Sequence, residues 1–237
     1  MKIALQLIVF LFYVILSGCQ KDQNLLTGNN SLTVNGTMSG SILNYVPGSV
    51  DSIKALCPDL IGENGISSIG QFTIDLSTPE LLVTTGSMNG LLVSDTAAMT
   101  GSVYLCTYRG GMFSGLLNKS NLPMDSLNKA GISYSMFTYS DRYFTIKGTR
   151  TTTDLFNDSQ LITTAKYDVI IKKGWNELVV KINSSSSTSC TTTISETVSN
   201  IITSDLQWRY SVVGVENVRR KTTGVNVLKL DKLFRME

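Results

Sequence analysis

The chain has 237 residues, 42% hydrophobic and 16% charged, which is enough apolar material for one or two packed domains and excludes a wholly disordered chain. Its 20 basic side chains stand against 18 acidic ones, a net charge of +2, so no strong field exists to recruit nucleic acid. Histidine is absent, which removes Ser/His/Asp and Cys/His catalysis and His-zinc sites together.

At the start of the chain Lys2 precedes an apolar run from Leu7 to Leu16, closed by the small residues Ser17 and Gly18. That layout is a cleaved secretory signal peptide over residues 1–18. The run is shorter than the roughly 20 apolar residues of a permanent membrane helix. It ends in Leu16-Ser17-Gly18-Cys19, which resembles the lipobox of bacterial lipoproteins. The resemblance implies that Cys19 is acylated and becomes the first residue of the mature protein, its thiol being the nucleophile that takes the lipid. At about 0.8 kcal/mol per buried methylene, several acyl chains hold a folded domain to a bilayer.

Gln20-Lys21-Asp22 is similar to the short charged export signal of surface lipoproteins of the Bacteroidota. This implies an outer-membrane, lipid-anchored protein facing the cell exterior. Residues 19–30 are polar apart from Leu25 and Leu26 and read as a flexible tether. Asp51-Ser52-Ile53, Asp95-Thr96-Ala97 and Asp125-Ser126-Leu127 resemble the O-glycosylation acceptor pattern of the same bacteria.

From Ser31 onward short apolar runs alternate with Gly, Asn, Asp and Ser clusters, which predicts an all-β fold, an antiparallel β-sandwich or two, Ig-like or transthyretin-like. Residues 31–117 form an N-terminal β-sandwich domain, with strands over 32–43, 50–57, 66–76, 81–85 and 101–108. The first three, carrying Gly36, Gly40 and the Ile69 to Ile74 stretch, resemble the opening of transthyretin-like or carboxypeptidase-regulatory-like modules. A composition break over 118–131 leads into residues 118–237, a second β-rich domain or a continuation of the same sandwich, with a helical turn or two expected over 122–129. Strands over 132–139 and 142–148 are expected to form one hairpin, and Tyr167, Val169, Ile171 with Leu178, Val180, Ile182 a second, turning at Gly174. The Ser/Thr-rich residues 183–193 read as a mobile loop, residues 207–210 as a strand, and the basic but apolar-patterned tail as a last strand.

Without Cys19, three cysteines remain, so at most one internal bridge forms. Cys57 and Cys106, both in apolar strands, are the candidate disulfide, and packing as free thiols is the competing reading. No cysteine spacing suits zinc, and Asp154 with Asp158 lacks the oxygen density of a calcium loop, so neither metal nor cofactor is expected. Trp175 and Trp208 are the candidate aromatic platform for a glycan, against burial in the core. The function these features favour is a non-catalytic, membrane-anchored lipoprotein that binds or displays. A glycan-binding accessory protein of polysaccharide uptake is the second reading, and a carboxylate-based hydrolase the third. The expected partners are the bilayer, through Cys19, and a glycan or protein ligand, without nucleic acid.

Overall fold

The computed structural model describes residues 36–212 apart from 88, 124–128 and 157–158. The described residues contain no helix and form an all-β, sandwich-like fold. Cys19, Gln20, Lys21, Asp22, the central residues of the expected helical turn and the expected last strand lie outside the described residues.

The first half builds seven strands up to the centre of the molecule: β1 (Thr37–Ser41), β2 (Ser52–Cys57), β3 (Asp59–Gly65), β4 (Gln71–Asp75), β5 (Val83–Thr84), β6 (Leu91–Val93) and β7 (Met99–Arg109). Then come β8 (Met112–Ser120), β9 (Ser133–Ser140), β10 (Phe144–Phe156), β11 (Ser159–Ile171), β12 (Gly174–Ser187), β13 (Thr191–Ser199) and β14 (Gln207–Val212). β1 and β4 pair as a small sheet. The large sheet runs β3-β2-β7-β8-β9-β12-β13-β11-β10-β6, with β14 on β8 and β5 on β7. All ladders between named strands are antiparallel except β11 with β13.

β7 joins the two halves. Its later residues pair with β2 and β8, its earlier ones, Thr100 to Val103, with β9. The β7 to β8 turn is Gly110-Gly111, both at positive φ (56° and 80°), the two-residue hairpin loop that only glycine-like residues enter cheaply. The division expected between residues 117 and 118 falls inside β8, and the strand pairing runs across it.

β9 and β12 form a wall with a core on each face. Successive side chains point to opposite sides of a strand. Phe137 and Trp175 accordingly enter one core with Met38, Ile53, Phe72, Leu105 and Trp208. Leu178 and Val180 enter the other with Phe144, Ile146, Tyr167, Val169 and Ile171. On the face of this wall that carries Phe137 and Trp175, the Lys119 ammonium donates to Glu177 at 2.7 Å and Ser135 Oγ donates to the same oxygen at 2.6 Å. Both charged side chains are buried, at 6% and 4% exposure, so the pair is desolvated.

Two expected hairpins are corrected. β9 and β10 do not pair with each other: β9 pairs with β12, β7 and β8, β10 with β11 and β6. Nor do β11 and β12, because β13 lies between them. Where β13 ends, the Asn200 side-chain amide continues its ladder, accepting from Ile170 N–H at 2.6 Å and donating to Ile170 C=O at 2.8 Å. Val169, Ile171, Leu178 and Val180 are nonetheless all buried in the same core, as their alternation predicts, and Gly174 takes a φ of 91°. Alternation reports which side chains share a core; it does not tell edge pairing from face-to-face packing.

The expected loop over 183–193 is mostly strand. β12 runs to Ser187 and β13 begins at Thr191, with the ladder shifting at a bulge between Ile182 and Ser184. Threonine suits a strand whose outer face is solvated, and its polarity masked the element in the sequence.

Gly36 and Gly40 are spaced by the two tryptophans. A Cβ on Gly36 would stand 2.8 Å from the Trp175 ring, and one on Gly40 would overlap the Trp208 indole. Trp208 is held further by Phe72, edge-on at 5.1 Å, and Phe137, stacked at 5.6 Å. Gly40→Val therefore has to displace an indole that cannot move away. A loss of about 2 to 4 kcal/mol is expected in urea unfolding, with a shift in tryptophan emission. An unchanged midpoint would show that β1 does not lie on Trp208.

Candidate functional site

The residues singled out in the sequence do not assemble into one site. Trp175 and Trp208 are 7% and 5% exposed and belong to the core, so the expected aromatic platform is corrected. Each indole packs within a ring cluster beside β1, Trp208 with Phe72 and Phe137 and Trp175 with Tyr139. Cys57 and Cys106 are free thiols, correcting the candidate disulfide. Lys54 stands opposite Cys106 and Leu56 opposite Tyr104, so Cys57 lies three residues further along and on the other face of the sheet. Cys57 packs with Val103 and Leu105 while Cys106 points away, a separation that a disulfide cannot span. Burial pushes both thiols up to about 12, which leaves them unreactive. Cys190 is exposed at the β12 to β13 turn.

Of the three acceptor-like tripeptides, residues 125–127 lie outside the described residues. Ser52 is half-buried, its hydroxyl donating to Asp51 at 2.8 Å, whereas Thr96 is exposed in the β6 to β7 turn.

What the fold does bring together is a set of polar groups on the inner face of a four-stranded arm, β10-β11-β13-β12. Arg150 stands opposite Ala165, Ala165 beside Glu196 and Glu196 opposite Ile182, so these four share one face. Two residues along, the row is Gly148, Tyr167, Val198, Val180 and Tyr134. Glu196 thus points inward between Ile194 and Val198, both buried. Burial holds its carboxyl up at about 7, and no hydrogen bond or ion pair among the described residues offsets that. The Tyr167 and Tyr134 hydroxyls are pushed well above their ordinary range, first by burial and second by the Glu196 charge, with Arg150 pulling Tyr167 the other way. One cation, one carboxyl and two phenols therefore act on one another across this face.

The face opens at its edge. Between residues 84–87 and 89 on one side and Arg150 to Thr152 on the other lies a recess of about 460 Å³. Its loop wall is pinned: Thr85 N–H donates to Ala98 C=O at 2.9 Å, and the buried Thr85 hydroxyl lies 3.0 Å from the same oxygen. Gly90 and Gly148 let the two backbones touch, because a Cβ on either would overlap a carbonyl oxygen of the other strand.

No protein-family model, curated protein or solved structure matches this chain. The reading of the site therefore rests on its own chemistry. Among the described residues no group of three or more Cys, Asp or Glu could hold a metal ion. Asp154 shares the inner face with Glu196, and burial raises its carboxyl too. In the ladder it stands opposite Leu161, which neighbours Thr192, four residues from Glu196 on β13. Two strands across and four residues along put the two backbone positions about 16 Å apart.

Arg150 and Glu196 were not anticipated. Glu196 was legible as a carboxylate in the apolar phase of Ile194, Glu196 and Val198. Arg150 had no such signal, because its role comes from a loop 60 residues earlier in the chain meeting β10.

Proposed function

We propose that this chain is a non-catalytic lipoprotein, anchored in the outer membrane through acylated Cys19, facing the cell exterior and binding a ligand with the folded part. The lipobox at the end of the apolar segment carries the anchor. Residues 19–30, the tether, span at most about 40 Å, enough to hold the folded part clear of lipid headgroups. The binding role is carried by the recess at the edge of the arm, whose walls are set by backbone contacts and a buried hydroxyl and so need no rearrangement to receive a ligand. The glycan-platform reading loses its support with the burial of Trp175 and Trp208.

Metabolic labelling with a radioactive fatty acid, followed by mass spectrometry of the mature N-terminus, tests the anchor. Label on the normal chain, none on Cys19→Ala, and a mature protein beginning at Cys19 are expected. A chain beginning at Met1 would sink it. Location is read separately, by protease added to intact cells. The normal chain should be cut and the combined Lys21→Ala and Asp22→Ala variant protected, with acylation unchanged; equal cleavage would reduce Gln20-Lys21-Asp22 to linker.

A further inference from the structure

We propose that Asn89 is a self-modification site, converted without an enzyme to aspartate and isoaspartate through a ring closed by the Gly90 amide nitrogen. This is independent of the lipid anchor and of any ligand in the recess. Asn-Gly occurs at residues 35–36, 64–65 and 89–90, and Asn35 lies outside the described residues. The glycine nitrogen, stripped of its proton by hydroxide, attacks Cγ of the asparagine. The N–Cγ bond forms, the Cγ–Nδ2 bond breaks, and Nδ2 leaves as ammonia with a proton taken from water. Water then opens the five-membered imide at either carbonyl, so that water is taken up and ammonia lost, with a gain of about 1 Da and one negative charge. Glycine is the favourable neighbour because no Cβ shields its nitrogen.

Asn64 and Asn89 are both exposed and differ in hydrogen bonding. Asn64 lies in β3, opposite Ile53, and its amide is held at both ends: Nδ2 donates to Thr73 C=O and Oδ1 accepts from Gly65 N–H, each at 2.8 Å. The nitrogen that would attack is engaged there with the amide oxygen, and the ladder fixes the torsions that would have to turn to bring it over Cγ. Asn89 lies in the turn before β6 and makes no side-chain hydrogen bond among the described residues, and the Gly90 N–H has no acceptor among them. Neither reacting group is held by a partner.

The fold also keeps the glycine in place. Gly90 has a φ of 80°, and a Cβ there would overlap the Thr149 carbonyl oxygen, so the close approach to β10 demands the residue that makes Asn89 labile. Gly65 is under no such demand, the nearest atom to a Cβ there being the Asp51 carbonyl oxygen at 3.8 Å. At position 89 the new carboxylate enters the recess of about 460 Å³, whose described lining carries one cation and no carboxylate.

Peptide mapping by mass spectrometry of the full-length protein, held folded at pH 8.5 and 37 °C, tests this over time. Conversion at Asn89 is expected at least tenfold faster than at Asn64, with isoaspartate as well as aspartate formed at position 89. In urea sufficient to unfold the chain the two rates should come within threefold of each other, because the dipeptide is the same and only the fold distinguishes the sites. Asn89→Gln, whose longer side chain would have to close a six-membered ring, should show no conversion at that position over the same period. Equal rates at the two sites in the folded protein, aspartate at position 89 without isoaspartate, conversion of the Asn89→Gln variant there, or a tenfold difference that persists in urea overturns the proposal. Lipid labelling reports the anchor separately, so failure here leaves that reading intact.

Discussion

Val180→Asp is expected to cost about 3 to 5 kcal/mol in urea unfolding, while Lys181→Asp stays within about 0.5 kcal/mol. The two positions are adjacent on β12, yet Val180 is 3% exposed among Leu178, Val198 and Ile146, and Lys181 is exposed on the other face. Among the described residues an aspartate at 180 has no cation on its own sheet face nearer than Arg150, three strands away in the ladder, and must either stay charged in an apolar interior or take up a proton. A domain of this kind has only about 5 to 15 kcal/mol to lose, so the first variant should be partly unfolded at 37 °C and the second not. Comparable losses at both positions would mean that the faces of β12 are exchanged.

The second large effect is on pH dependence. The Glu196 carboxyl titrates at about 7 in the folded protein against 4.5 in an unfolded chain, because burial between Ile194 and Val198 penalises its charge. Between those two values the folded state holds a proton that the unfolded state has released, so stability falls as pH rises. Below pH 4.5 both states are protonated and this contribution vanishes; above 7 it reaches its full size, at most about 3 kcal/mol. The charged groups around Glu196 are few. Arg150 lies across Ala165 on β10, Tyr167 on β11 and Tyr134 on β9, while β12 faces it with Ile182. Glu196→Gln keeps the shape and removes the charge. It should raise the melting temperature at pH 8, change it little at pH 5, and flatten the profile between. The same slope in variant and parent would show that another group carries the dependence.

The relation between sequence and fold is clearest at the two misread hairpins. In each, the connection is short and the alternation is clean, and those are also the features of a true hairpin such as Gly110-Gly111. The difference is made by strands that arrive later. β13, from residue 191 onward, inserts between β11 and β12, and β12 takes the edge of β9 that β10 would have filled. Backbone hydrogen bonds carry no residue identity, so competition between edges of similar length is settled by which arrangement encloses both cores.

The same distinction separates the candidate residues. Tryptophans and cysteines stand out by rarity, and rarity does not report exposure: Trp175 and Trp208 fill the interior beside Gly36 and Gly40, and Cys57 and Cys106 sit on opposite faces of one sheet. Composition and periodicity determined the all-β class, the strands around residues 52–57, 99–109 and 207–212, and the buried faces of β11 and β12, because period-two alternation is a local consequence of backbone geometry. Only the tertiary structure decided which edges pair, that two cores share the β9 and β12 wall, and that Arg150 lines one recess with residues 84–87 and 89. These depend on long-range closure, which brings together segments whose local patterns are alike.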